Sequence, residues 1–468
     1  MATSSAQRGV VGVLALMVIV ESTSGVVQGY LNPILPALGS VFDVNAPEVN
    51  GLFLLSNVSF AVLTPLISRL GDSYGYRSVL RASSLMVAVG VLLMALIPSL
   101  LTVIIGIILI AGVVGFIPLM MGILRSTYPD VVRTGVSYLV GTLMIMIGVG
   151  GLIAGVLGMA NPLHGFWVGV PFALATLVCS FFVPDAGTAT RESIAATSMS
   201  SCLLGLVMTI AGLSLGPDFG WMDWRTLSLL VAGIGLLTFW GYLDSRPSER
   251  KQRFIDLRLI RRRSLRSVSV ATFFFGFASI SYFGTNGIFL SSEYSVAGYG
   301  FSFSPMLIAV LLAATSLLSF VASVASAPLM NRRSERSVLT LAGMILASSF
   351  VVMMVGVHSL IVYIVGFCLF NVALGVYQAA TRSLSVEGVP ADQTAAAAGL
   401  NELALSVGIA VGAAVIKMIS SATVTGSGTI SSTGLTLIWL SLCLASLIAA
   451  VAGSRYPLQH RTVSEVMS

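Results

Sequence analysis

Charge is scarce in this chain. Only 9% of its 468 residues are Asp, Glu, Lys or Arg, whereas 56% are hydrophobic and the mean hydropathy is +0.98. Soluble domains carry about 25% charged residues, so the composition excludes a water-soluble globule. The net charge of +6 then reads as membrane orientation and contact with membrane lipids, with no nucleic-acid partner expected. Histidine is nearly missing: His164, His358 and His460 are too scattered for a metal cluster or a Ser-His-Asp set. Paired catalytic acids are missing too, so the chain reads as no enzyme, with no metal and no organic cofactor. The four cysteines, Cys179, Cys202, Cys368 and Cys443, fall in or at the edge of apolar runs with no metal-ligand spacing, and no disulfide is expected. A phosphate-binding Gly-x-x-x-x-Gly-Lys sequence does not occur, which excludes ATP as the direct energy source.

What fills the sequence is apolar runs of membrane-spanning length, about fourteen of them. They lie near 10–31, 48–68, 79–97, 101–124, 135–158, 163–184, 201–217, 226–243, 267–291, 303–329, 337–356, 359–382, 395–419 and 433–453. A bilayer core needs about 20 apolar residues per helix, so these runs use most of the chain. They are continuous rather than alternating in polarity, as helices require and barrel strands do not. The first run lacks a convincing cleavage site and reads as a spanning helix, not a signal peptide. If Met1 is cytoplasmic, 22 of the 24 Lys/Arg fall on the inner side, with Arg225 and Lys417 the exceptions. That sorting predicts a multi-pass protein of the cell membrane with both termini cytoplasmic.

The runs are grouped. Residues 1–185 hold six; a Ser/Thr/Ala-rich linker (186–201) leads to two more, and a basic stretch (244–266) precedes the last six. The expected architecture is all-α: an N-terminal six-helix bundle (1–185), a linker with two extra helices and a basic loop (186–266), and a C-terminal six-helix bundle with its tail (267–468). Six plus two plus six is the arithmetic of a duplicated transporter with a helix pair inserted between its halves. The polar turns SRLGDSYGYRS (68–78) and APLMNRRSERS (327–337) fall at the same place in each half.

A few acids have no loop to explain them. Glu21 lies about eleven residues into the first run, near the bilayer midplane. Insertion scales put an acid there at roughly 2.5–3.5 kcal/mol, so it faces a cavity or a partner. It reads as a proton carrier, a counter-ion for a cationic substrate, or both in competition; the alternative is an acid hydrogen-bonded to a neighbouring helix. Gln28 is on the same helical face, and Tyr30 and Asn32 continue outward, so the three read either as a polar stripe facing a central cavity or as interhelical hydrogen bonds. Glu402, beside Asn401 in the thirteenth run, is the second buried acid, either coupling to transport or pairing with Arg382. Tyr282 and Asn286 in the ninth run and Tyr377 and Gln378 in the twelfth read either as lining a substrate cavity, of a kind that suits large apolar or cationic ligands, or as lipid-facing packing. Gly148, Gly151 and Gly155 allow close helix contact in the fifth run.

Several segments together resemble the major facilitator superfamily, in its fourteen-span branch of drug:proton antiporters. The turn after the second run resembles G-x-x-x-D-R-x-G-R-R, keeping Asp72, Gly75 and Arg77 but with Ser68 and Ser73 at the first glycine and the arginine. ILRSTYPDVVRTGV (123–136), HGFWVGVPFAL (164–174), FIDLRLIRRRSL (254–265) and GVPADQTAAAAGLNELALSVGIAVGAAV (388–415) resemble further stretches of that branch, in order. Two positions depart. Ile108 stands where an arginine linked to proton coupling is expected, and Leu152 replaces the proline of the antiporter signature after Gly151. The resemblance implies a monomeric, proton-coupled secondary transporter, with small molecules, protons and lipids as its partners. It implies export of lipophilic or cationic drug-like compounds by alternating access. The missing proline leaves open a proton-coupled importer or a dedicated metabolite exporter. The resemblance also implies that Asp72, Gly75 and Arg77, joined by Arg125, latch the halves together on the cytoplasmic side.

Overall fold

The computed structural model describes residues 2–43, 46–185, 195–245, 254–255, 257–282, 285–387, 389–390, 393–425 and 429–457. Helix dominates, because a chain in lipid must satisfy its own backbone groups. The first half runs α1 (Ala2–Val41), α2 (Ala46–Tyr74), α3 (Tyr76–Leu96), α4 (Leu100–Ile110), α5 (Phe116–Thr127), α6 (Val132–Gly158) and α7 (Gly169–Phe182). A 3-10 turn, Ala111–Gly115, joins α4 to α5 as one span. Next in the chain come α8 (Ala196–Phe219) and α9 (Trp224–Ser245). The second half begins with the short α10 (Arg258–Arg261), then α11 (Arg263–Ser279), α12 (Thr285–Ser291) and α13 (Tyr294–Ala297). It continues with α14 (Pro305–Arg332), α15 (Glu335–Val355), α16 (Leu360–Val386), α17 (Thr394–Ala422) and α18 (Ser432–Ser454).

Thirteen of these spans are long and apolar enough to cross a membrane among the described residues. The fourteenth expected run, 267–291, is interrupted. Its helix α11 gives way to a 3-10 turn at Ile280–Tyr282 and resumes as α12, so neither piece reaches spanning length alone. Turn chemistry sets several other boundaries. Ser99, Ser304, Ser334 and Ser431 each accept a backbone N–H of the helix they precede. Between α2 and α3 the chain reverses at Gly75, whose φ of 92° is a left-handed conformation that glycine adopts without strain.

Within the first half α1 packs along α6 and α7, and within the second α15 packs on α16 and α18 while α11 packs on α17 and α18. Small residues permit this closeness: a Cβ added at Gly29 of α1 would lie 2.2 Å from the Ile147 carbonyl oxygen of α6. Two seams join the halves, α6 against α14 and α2 against α17. At the first, Gly148 faces Ala313 and Ser316. At the second, α8 covers both helices: Cys202, Leu203 and Leu206 of α8 cluster with Val62 and Leu66 of α2 and Leu400 and Leu403 of α17. Outward-facing Leu101, Phe182, Val231 and Ile361 remain exposed, as side chains bathed in lipid should.

Candidate functional site

Glu21 sits where the two halves meet. It is fully buried, and among the described residues neither carboxylate oxygen has a hydrogen-bond partner. Ser24, one turn along α1, interacts with it without hydrogen-bond geometry, and itself accepts from the Gln28 amide at 3.0 Å. Thr23 binds Thr176 of α7 at 2.7 Å, anchoring this stretch of α1 within the first half. The charges acting on Glu21 come from the second half: Arg382 of α16 and Glu402 of α17. Those two are paired with each other. Arg382 Nε lies 2.6 Å from Glu402 Oε1, and Nη2 donates to Oε2 at 2.9 Å. Nη1 of the same guanidinium donates to the Gln378 side chain, one turn back on α16. Gln378 in turn reaches Met144 of α6, so the cluster spans both halves. Two acids and one cation thus lie close together, Glu21 and Arg382 buried and Glu402 partly so, with Glu21 the acid that lacks a direct partner.

The other expected cavity residues divide. Tyr30 is buried with its ring edge-on to Phe166 at 6.1 Å, and Gly169 packs against it. Asn286 accepts from the Tyr363 hydroxyl at 3.0 Å, and Asn401 accepts from Thr272 at 2.7 Å; both act as interhelical ties inside the second half. Tyr377 stacks on Phe275 at 4.7 Å and donates to the Ala449 carbonyl at 3.1 Å. The structure therefore places Asn286, Tyr377 and Asn401 in packed helix contacts. The side chains of Asn32 and Tyr282 lie outside the described set. Gly151 faces the Gly29 carbonyl, whereas Gly155 meets nothing within 4 Å because it lines a cavity.

That cavity, about 370 Å³, opens at the end of the bundle opposite the basic turns. Pro33, Ile34, Ala154, Gly155, Met306 and Ala309 are among its walls, drawn from α1 and α6 of the first half and α14 of the second. The basic face is closed. Asp72 of α2 accepts from Tyr76 at 2.8 Å and, across the seam, from the Ala396 backbone N–H at 2.9 Å. Ala396 is in the first turn of α17, a helix whose own N-cap residue offers no side-chain cap, so the carboxylate supplies the missing acceptor at a positive helix end. Arg125 of α5 donates to the carbonyls of Val386 and Val389, just before α17. Arg77 does not join this closure: it donates to the Phe181 carbonyl at 2.5 Å, within the first half.

Two groups escaped the sequence reading. Arg133 of α6 binds Glu387 (2.6 Å) and Glu335 (2.7 Å) of the second half. These residues resemble ordinary loop charges in sequence, since no spacing rule links them. Arg382 reads in the sequence as an inner-side cation and as one choice of partner for Glu402; its burial to 5% exposure and its action on Glu21 are properties of the fold. Among the described residues no group of His, Cys, Asp and Glu could hold a metal.

This arrangement, two helical halves closed at one face around a buried charge cluster, matches a known class. A sequence profile for the Major Facilitator Superfamily covers residues 17–413, and the chain belongs to that family of transporters. It is 26% identical over 318 residues to the tetracenomycin C resistance and export protein of Streptomyces glaucescens, across 64% of this chain and 54% of that protein. The chain thus spans about half the length of that curated relative. Its fold is similar to that of the human organic anion transporter MFSD10 (TETRAN), with a TM-score of 0.66 and 17% identity over 94% of this chain and 99% of that one. The proton:xylose symporter XylE is also similar, with a TM-score of 0.63 and 11% identity over 93% of this chain and 94% of that one.

Proposed function

We propose that the protein is a proton-driven exporter of lipophilic or cationic small molecules, working by alternating access of its two halves in the cell membrane. The observation that carries this reading is Glu21, a fully buried acid with no hydrogen-bond partner, facing an Arg–Glu pair across the interface of the halves. Leaving a buried polar group unpaired costs a few kcal/mol, and a charged one more. A structural acid would have found a partner; an acid that must repeatedly bind and release a proton or a cation fits this exposed position in the energy balance. Glu402 takes part as the second acid of the cluster.

Export is supported by the relative named for resistance and export, and by the apolar cavity at the face away from the basic turns. The sorting of Lys and Arg puts the basic face and both termini in the cytoplasm. In this state the cytoplasmic face is latched through Asp72 and Arg125, and release of those bonds would open the site inward. One chain carries both halves, so a monomer suffices.

The test uses acid-loaded everted vesicles containing the protein, with ethidium and tetraphenylphosphonium as probes. Addition of a transported probe releases lumenal protons if the two are exchanged. If no proton release occurs and proton flow drives the probe in the opposite sense, the exporter reading is wrong and the importer reading replaces it.

A further inference from the structure

The chain that leads into α11 builds a surface of its own at the basic face. Phe254 and Ile255 are buried, and their backbone N–H groups donate to Ser198 of α8 and to the buried Asp244 of α9. Leu259 of α10 and Leu265 of α11 are buried in the same cluster, which includes Val389 and, from α17, Ala397 and Leu400. Ser267 donates to the Ala452 carbonyl of α18 at 2.6 Å. The stretch is thus a fixed shelf with its apolar side chains turned inward. Its charge is on the other side: Arg258, Arg261, Arg262, Arg263 and Arg266 are all exposed. The helix does not call for them. Arg262 precedes α11 and Arg263 and Arg266 lie at its start, where the helix dipole disfavours cations and no acid is present. Nor does sidedness require a rigid shelf, since positive charge anywhere in a short inner loop orients the chain. Among the described residues Arg261, Arg263 and Arg266 form no ion pair. One turn beyond Arg266, on the same face of α11, Val270 is exposed, so the charged rim stands directly against apolar, lipid-facing surface.

We propose that this arginine shelf binds the headgroups of acidic phospholipids in the leaflet at the basic face, and that lipid held there favours the state closed at that face. A phospholipid meets both parts of the surface, its phosphate the guanidinium donors and its acyl chains the apolar flank. An acidic headgroup leaves that phosphate charge uncompensated, whereas choline neutralises its own. The link to closure is packing. The Val389 carbonyl accepts from Arg125, and the N–H of Ala396, next to Ala397, donates to Asp72. Val62 and Leu66 of α2 pack on the same cluster, so the shelf touches both halves. Opening at this face parts α2 from α17 and breaks the cluster up; a lipid that fixes the shelf opposes this. The proposal goes beyond the transport reading and holds whatever the substrate is.

Binding is read by titrating the purified full-length protein, in neutral detergent, with fluorescent phosphatidylglycerol and separately with fluorescent phosphatidylcholine. Phosphatidylglycerol should bind the more tightly. Arg261→Gln, Arg263→Gln and Arg266→Gln combined should weaken it by about a hundredfold, at roughly fivefold for each arginine near an acidic lipid surface. The control removes the same charge elsewhere on the basic face: Arg332→Gln, Arg333→Gln and Arg336→Gln combined, three exposed arginines whose loss should leave binding nearly unchanged. Closure is read in nanodiscs, from distances between spin labels at the basic-face ends of α5 and α16. Adding phosphatidylglycerol to phosphatidylcholine discs should raise the closed population of the wild type and leave that of the first triple variant unmoved. Equal binding of the two lipids, or equal loss in the two triple variants, overturns the site. Binding that depends on the shelf but leaves the distances unchanged overturns its effect on closure. Neither result touches the transport reading, which is scored by proton exchange.

Discussion

At the scale of single residues, the side chains that matter divide into those at the closed face and those at the buried cluster. Asp72 closes the face with one carboxylate, bound to the first turn of α17. An acid at a helix N-terminus contributes about 0.3–2 kcal/mol. Asp72→Asn keeps the size of the side chain and removes the charge, so the state open at the basic face should gain population by up to about thirtyfold. Spin labels at the basic-face ends of α5 and α16, read by distance measurements, check this. Arg133 should matter more than either of its partners, since Arg133→Gln orphans Glu335 and Glu387 together whereas Glu387→Gln leaves Glu335 in place. The same distances should therefore lengthen more often in Arg133→Gln than in Glu387→Gln. The burial of Glu21 was legible in the sequence because an acid deep in an apolar run has no loop to carry it into water. Arg382 was not, since a cation four residues from a helix end looks like loop charge until the partner helix α17 is brought beside it.

At the scale of elements, hydropathy located the helices well because the bilayer leaves the backbone little choice. It said less about where a span breaks. The interruption at 280–282 leaves no mark in hydropathy, since the run 267–291 is apolar on both sides of it. Contact surfaces were partly legible: glycines were expected between helices, but their neighbours were not. Gly29 proves the tightest on α1, with the Ile147 carbonyl 2.2 Å from where a Cβ would sit. Gly29→Ala should cost about 1–3 kcal/mol through overpacking and lower the melting temperature of the purified protein. Gly155→Ala, facing open space, should leave the melting temperature unchanged. The α8–α9 pair has its own anchor. Asp244 of α9 is buried and accepts from Ser198 (2.6 Å), Trp240 (2.8 Å) and the Ile255 backbone N–H (3.1 Å). Asp244→Ala orphans three donors, at roughly 1–3 kcal/mol each when they stay buried. Faster amide exchange at Ile255, without loss of the wild-type fold elsewhere, is the expected result.

At the scale of the molecule, the two seams between the halves are not equivalent. The α2–α17 seam is covered by α8, whereas the α6–α14 seam leads to the cavity at the far face. Rocking of the halves must therefore either carry α8 along or slide α2 and α17 beneath it. The grouping of apolar runs sets α8 and α9 apart from the two sets of six, but a linear pattern cannot say which seam the pair covers. Charges of the second half, Arg382 and Glu402, act on Glu21 of the first, so in the proposed alternating access a change in charge there would act on the contact between the halves. The most direct test of that account is Glu21→Gln in proteoliposomes with an imposed pH gradient and tetraphenylphosphonium as the transported probe. The account predicts concentrative, gradient-driven movement by the wild type, and in the variant no response to the gradient although the protein remains folded. Gradient-driven transport at the wild-type rate in Glu21→Gln would contradict it.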